Sequence, residues 1–81
     1  MYTTYIVFSQ IINKYYTGQT KDLSQRLIEH NRGKTKYMAT GAPWELMYFK
    51  EHNSRGEAMK LEKFIKKRGA GRFLHDKEQV G

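Results

Sequence analysis

Thr3-Thr4-Tyr5-Ile6-Val7-Phe8-Ser9, Gln10-Ile11-Ile12-Asn13 and Lys14-Tyr15-Tyr16-Thr17-Gly18 follow one another without a break, and the fold turns on how they pair. Residues 3–8 are all β-branched or aromatic, a composition that suits a pleated strand. Residues two apart share a face, so Ile6 and Phe8 lie on one side and Tyr5 and Val7 on the other. Both sides are apolar, which predicts a strand covered on both faces. Residues 14–18 read as a second strand, and the short connection makes the pair an antiparallel hairpin. Tyr5 and Tyr16 then sit on adjacent strands, within a few residues of direct opposition, where they can share a face.

Downstream, Asp22 is a good helix N-cap, with Gln25 placed to reach back as in a capping box. The helix should run from Leu23 to Arg32 and stop at Gly33. Leu23 and Leu27 mark its buried stripe; His30 falls within about 40° of their mean direction, with Arg26 beside it. Residues 32–42 read as a basic loop of the kind that often binds. Pro43 opens a third strand, Trp44–Lys50, in which Trp44, Leu46 and Tyr48 alternate with Met47 and Phe49. Ser54-Arg55-Gly56-Glu57 is a second capping box, for a helix ending near Arg68 with Gly69 as its stop. Its apolar stripe is Ala58, Leu61, Phe64 and Ile65, and Glu62 lies at the stripe's edge. Phe73 and Leu74 suggest a short last helix, after which the chain should fray. The expectation is one α+β domain over residues 1–81, a small three-stranded antiparallel sheet flanked by helices in the order β-β-α-β-α-α.

Composition narrows the function classes. The 81 residues contain no cysteine, which excludes disulfides, thiolate zinc sites and cysteine nucleophiles and suits a cytoplasmic setting. No signal peptide or membrane span is expected, and no helix pairs a broad apolar face with a basic one. Fifteen Lys and Arg against eight Asp and Glu give a net charge of +7, which favours polyanionic partners over mere solubility. Arg32, Lys34 and Lys36 in the loop, with Lys66 and Lys67 in the last third, are the candidate nucleic-acid contacts. Their grip would be electrostatic, sequence-independent and salt-sensitive.

The ordered series Thr3-Thr4-Tyr5, Tyr16-Thr17-Gly18, Asp22-Leu23, Arg26-Leu27, Glu29-His30-Asn31, Pro43-Trp44, Glu57-Ala58 and Leu61-Glu62 resembles the GIY-YIG nuclease superfamily in its small bacterial form, from Tyr2 to about Leu74. It is also similar to the N-terminal nuclease domain of the excision-repair incision subunit. The resemblance implies a divalent metal, Mg²⁺ or Mn²⁺, held largely by Glu62, a hard oxygen ligand. It implies that Tyr16 helps to activate the attacking water and that Tyr5 positions or shares that proton. A phenol with a pKa near 10 needs a neighbouring cation for such work. Arg26 would offer its planar fork to the phosphate, and His30 would donate to it or relay a proton. The competing readings are a surface Glu62 paired with Lys66, a solvated Arg26, and a core-edge His30 bonded to a tyrosine. Gly18 would let the backbone turn tightly, or simply end a strand; His52 and His75 are expected to be exposed.

Thr3 and Thr4 stand where the family name has glycine and isoleucine, Thr17 replaces the second isoleucine, and Gln19 stands where some repair nucleases carry lysine. Better-studied relatives join this module to a DNA-targeting domain. Without one, specificity would come from nucleic-acid shape, self-association or a protein partner. The leading expectation is a metal-dependent endonuclease acting on DNA, including branched or distorted DNA. A catalytically silent nucleic-acid-binding module of the same fold and, more distantly, a protein-interaction adaptor stay open at this point.

Overall fold

In the computed structural model of the chain, residues 1–80 are described, the side chains of residues 79 and 80 excepted. Two strands, β1 (Tyr2–Ser9) and β2 (Lys14–Thr20), are followed by two helices, α1 (Leu23–Asn31) and α2 (Lys36–Gly41). Strand β3 (Trp44–His52) then precedes α3 (Arg55–Arg68) and α4 (Ala70–Val80). The strands form one antiparallel sheet in the order β2-β1-β3, so the apolar β1 is the central strand, as its two-faced pattern requires. Asn13 closes the hairpin at φ 54°, a left-handed conformation that asparagine tolerates better than most residues.

Each face of β1 seeds its own core. Tyr5 and Val7 pack with Met38 and Trp44, bordered by Tyr16, Leu23, Leu27 and Leu46. Ile6 packs with Ile65 and Phe73, bordered by Tyr48, Leu61 and Leu74. Helices α1 and α2 thus cover one face, and α3 and α4 the other. Thr4 joins the second layer by donating its hydroxyl to the Ala58 carbonyl at 2.9 Å. No helix among the described residues is long and apolar enough to cross a membrane.

The α+β class, the three-stranded sheet and the β-β-α-β-α-α order match the sequence reading, with one addition. Residues 32–42 are not simply a loop: Thr35 caps the short helix α2 by accepting the Met38 N–H at 3.2 Å. Strand β3 carries a bulge, since Ile6 faces Tyr48 while Val7 faces Leu46, leaving Met47 unpaired. Tyr48 therefore joins the α3–α4 core, and Trp44 and Leu46 join the other, where simple alternation puts all three on one face. At Asp22 the cap forms as expected, its Oδ1 accepting the Gln25 N–H, but the Asp22 N–H donates to Thr20 Oγ1 rather than to Gln25. His52 is half-buried, not exposed; with the Thr4 proton committed to Ala58, His52 Nε2–H donates to Thr4 Oγ1 at 3.1 Å. Helix α4 runs to Val80, longer than the short helix expected; the part of the expected fraying that falls on Gly81 lies outside the described residues.

Candidate active site

Strand register brings the two phenols together. Tyr16 lies opposite Val7, and Gly18 lies opposite Tyr5, so both tyrosines face α1 with ring centroids 6.4 Å apart. Gly18 is inside β2 rather than at its end, and its role is the absence of a side chain. A Cβ there would stand 2.8 Å from the Tyr5 hydroxyl and 3.2 Å from Tyr16 Cε1. The glycine is the space through which the Tyr5 hydroxyl projects.

Helix α1 presents His30, its only buried residue, directly onto this pair. The imidazole Nε2 lies 2.9 Å from the Tyr5 hydroxyl and Nδ1 lies 2.9 Å from the Met38 sulfur. A thioether carries no hydrogen, so Nδ1–H is the donor to sulfur, and Nε2 accepts the Tyr5 proton. Burial, assisted by the Arg26 charge, holds the His30 pKa below its ordinary value, with Glu29 pulling the other way. Burial also pushes the Tyr5 phenol up to about 12, helped by Tyr16 and Glu62 and opposed by Arg26. Tyr5 is thus a neutral phenol donating to a neutral imidazole across the neutral pH range.

Above this buried pair lies an open hollow of about 210 Å³, lined by Tyr16, Arg26, Glu29, His30, Lys34, Thr35 and Met38. Arg26 and His30 reach it because they stand one turn apart on α1. Glu29 bridges the two cations at its rim, 3.4 Å from Arg26 Nε and 3.4 Å from Lys34 Nζ. Two positive groups and one negative leave the hollow net cationic, with a guanidinium and a phenol at hand for an anion.

Glu62 comes from α3, the helix packed on the opposite face of the sheet. It does not line the hollow, and its charge is the smallest of the influences that raise the Tyr5 pKa. Its side chain is 21% exposed and pairs with Lys66 Nζ at 2.8 Å. Among the described residues no group of three or more His, Cys, Asp or Glu converges as a ready-made metal cage. Of the expected nucleic-acid contacts, Lys34 lines the hollow, Arg32 and Lys36 are exposed and do not line it, Lys66 is tied to Glu62, and Lys67 lines a separate groove on α3.

Sequence reasoning missed the support beneath the site. Met38 holds His30, and α2 holds Met38. Trp44 fastens α2 and α1 to the sheet: its indole N–H donates to the Met38 carbonyl at 2.9 Å, and its backbone N–H donates to Asn31 Oδ1. Gly41 admits the indole, since a Cβ there would stand 2.4 Å from Trp44 Cζ2. The readable signal was Thr35 as a cap three residues before Met38, with Gly41-Ala42-Pro43 as a terminator.

The family description "GIY-YIG catalytic domain" matches residues 1–72. Similar curated proteins include a UPF0213 protein of Listeria innocua, 35% identical over 71 residues, covering 83% of this chain and 79% of that protein. Another, of Listeria welshimeri, is 41% identical over 56 residues, covering 68% of this chain and 62% of the relative. A third, of Staphylococcus epidermidis, is 44% identical over 52 residues, covering 63% of each. The chain thus spans less than two thirds of the length of some of these relatives. No solved structure matches it. With the match running through both strands of the tyrosine hairpin and on into α4, the chain belongs to the GIY-YIG catalytic domain family, a family of nucleases.

Proposed function

We propose that this protein is a divalent-metal-dependent endonuclease that hydrolyses DNA phosphodiester bonds, including those of branched or distorted DNA. One observation carries the reading: Tyr16, Arg26 and His30 line a single cationic hollow, with the neutral Tyr5 bonded beneath it. A scissile phosphate in the hollow would accept hydrogen bonds from the Arg26 fork, which also stabilises the charge that builds on the phosphoryl oxygens. Tyr16 orients the attacking water and takes part in removing its proton. Tyr5 keeps its own proton on the bond to His30 Nε2, so its oxygen lone pairs remain available to the Tyr16 or water proton. Water adds to phosphorus as its proton passes by way of Tyr16 to solvent, the bond to the 3′ oxygen breaks, and that oxygen takes up a proton from solvent water. In this scheme His30 fixes Tyr5 by accepting the hydrogen bond of its hydroxyl at Nε2.

The donor chemistry fits a hard divalent ion. Glu62 offers a partly exposed carboxylate now neutralised by a single lysine, which a doubly charged ion would displace. Mg²⁺ or Mn²⁺ held by Glu62, waters and a substrate oxygen would supply electrostatic stabilisation of the departing 3′ oxygen. The salt bridge itself favours a second reading, a nucleic-acid-binding module that cleaves little, because Lys66 satisfies Glu62 without any ion. Nicking of supercoiled plasmid, flap and junction DNA in Mg²⁺, Mn²⁺ or EDTA separates the two. Metal-dependent nicking that Glu62→Ala slows by about a thousandfold, with DNA affinity kept, supports the nuclease. Equal nicking by both proteins overturns the assignment of Glu62, and no cleavage of any substrate selects the binding module.

A further inference from the structure

We infer that the groove between α3 and α4 binds an unpaired nucleic-acid strand, stacking a base on Phe64 while lysines and Arg72 hold its phosphates. The inference rests on the nuclease reading for its purpose, though not for its test. The groove measures about 370 Å³ and is lined by Phe64, Lys67, Arg68 and Arg72. Phe64 is 57% exposed, yet it is not loose. Its ring meets Phe73 edge-on, centroids 6.2 Å apart at 76°, so it is braced from below with a surface left open to solvent. Arg68 forms a fixed wall, clamped by Asp76 through two bonds of 2.7 and 2.9 Å. By contrast, Lys60, Lys63, Lys67 and Arg72 enter no ion pair among the described residues and are exposed.

The order of residues around α3 links this groove to the site. At 3.6 residues per turn, Lys66, Lys63, Lys67 and Phe64 stand about 40°, 100°, 140° and 200° round the helix from Glu62. The buried residues Ala58 and Ile65 occupy the remaining arc. From Glu62 onward the solvent arc carries Lys66, Lys63 and Lys67 before Phe64 is reached, with Arg55, Met59, Gly56 and Lys60 of the preceding turns on the same arc. Such a path suits a phosphate backbone leaving the site and curving round the helix. The lone ring at its end suits a base rather than a lipid surface, which would need a broad apolar face. Duplex DNA keeps its bases stacked on one another, so only an unpaired strand can offer a free π-face to Phe64. The substrate class is then DNA with a single-stranded arm beside the cleaved segment.

The test is equilibrium binding in EDTA, where no cleavage enters, of a labelled oligothymidylate of about 12 nucleotides and of a duplex of equal length. Phe64→Ala should weaken single-strand binding roughly tenfold and leave duplex binding unchanged. Phe64→Leu keeps an apolar contact with Phe73 but offers no flat face, and should behave like Phe64→Ala. Phe64→Trp should restore affinity, and its added emission should be quenched by the oligonucleotide. Lys67→Gln with Arg72→Gln should flatten the log–log salt dependence by about 0.7 for each charge removed. Single-strand binding by Phe64→Ala and Phe64→Leu equal to wild type would overturn the inference. So would equal losses on single strand and duplex. Failure of the nuclease reading shows up as absent nicking and leaves the EDTA binding result standing.

Discussion

The two faces of the central strand share one backbone and differ in almost everything else. Behind β1, Ile6, Ile65 and Phe73 form a hydrocarbon layer whose residues need only fit. In front, Tyr5, Tyr16, His30 and Trp44 form a layer in which polar atoms are threaded through aromatic rings and each needs a partner. Among the described residues no buried side-chain nitrogen or oxygen is left unpaired. Apart from the Thr4 bonds to Ala58 and His52, the rear face holds the sheet by apolar burial, which tolerates compensating changes of shape. The front face is held by directed bonds, which tolerate few.

Truncating the rear face should give the largest loss of stability. Ile65→Ala removes a fully buried side chain and should cost about 2–5 kcal/mol in chemical denaturation. If the loss were under 1 kcal/mol by the same bookkeeping, the rear layer would not be the clamp described. On the front face, Gly18→Ala should cost about 1–3 kcal/mol because the new methyl meets the Tyr5 hydroxyl. It should also abolish nicking by displacing Tyr5, whereas Ile65→Ala should leave activity intact wherever the protein remains folded. Similar activity losses in the two variants would dissolve the contrast between the faces.

The front face should also set the pH range of stability. His30 has a folded pKa depressed below 6.5, so the unfolded chain takes up its proton first as pH falls. Its contribution is therefore complete above 6.5 and is lost on acidification through the folded value. Tyr5 is displaced the other way, from 10.0 to about 12, so its contribution is complete below 10.0 and is lost as pH rises towards 12. Thermal melts should show a plateau between these limits. Tyr5→Phe should lower that plateau by about 1–3 kcal/mol, because His30 Nε2 is left without its donor, and should remove the alkaline slope. A slope unchanged in Tyr5→Phe would assign it to another group. The smallest effect belongs to Thr35→Ala, about 1 kcal/mol from the lost cap of α2.

Both faces of β1 could be read from the sequence, because alternation in a central strand is dictated by the pleat. Helix ends at Asp22, Gly33, Ser54 and Gly69 were equally plain, since each is fixed by a local bond or a left-handed residue. The proximity of Tyr5, Tyr16, Arg26 and His30 followed from those elements. What stayed hidden depends on contacts between distant segments. The bulge at Met47 arises from how β3 meets β1, and nothing in Trp44–His52 alone announces it. Helix α2 is six residues long and is held by Met38, Gly41 and Trp44 rather than by periodicity. The Glu62–Lys66 pair was one of two readings the sequence allowed, and the geometry contains it.

Trp44 is the only tryptophan in the chain, and it sits where α1, α2 and the sheet are joined. Its indole is 4% exposed and hydrogen-bonded to the segment that carries Met38. The protein therefore contains its own optical gauge of how the front layer is assembled: lifting α2 wets the indole and reddens its emission while α3 and α4 keep their far-ultraviolet helical signal. Intactness of the front layer can be followed in solution without a label and without substrate.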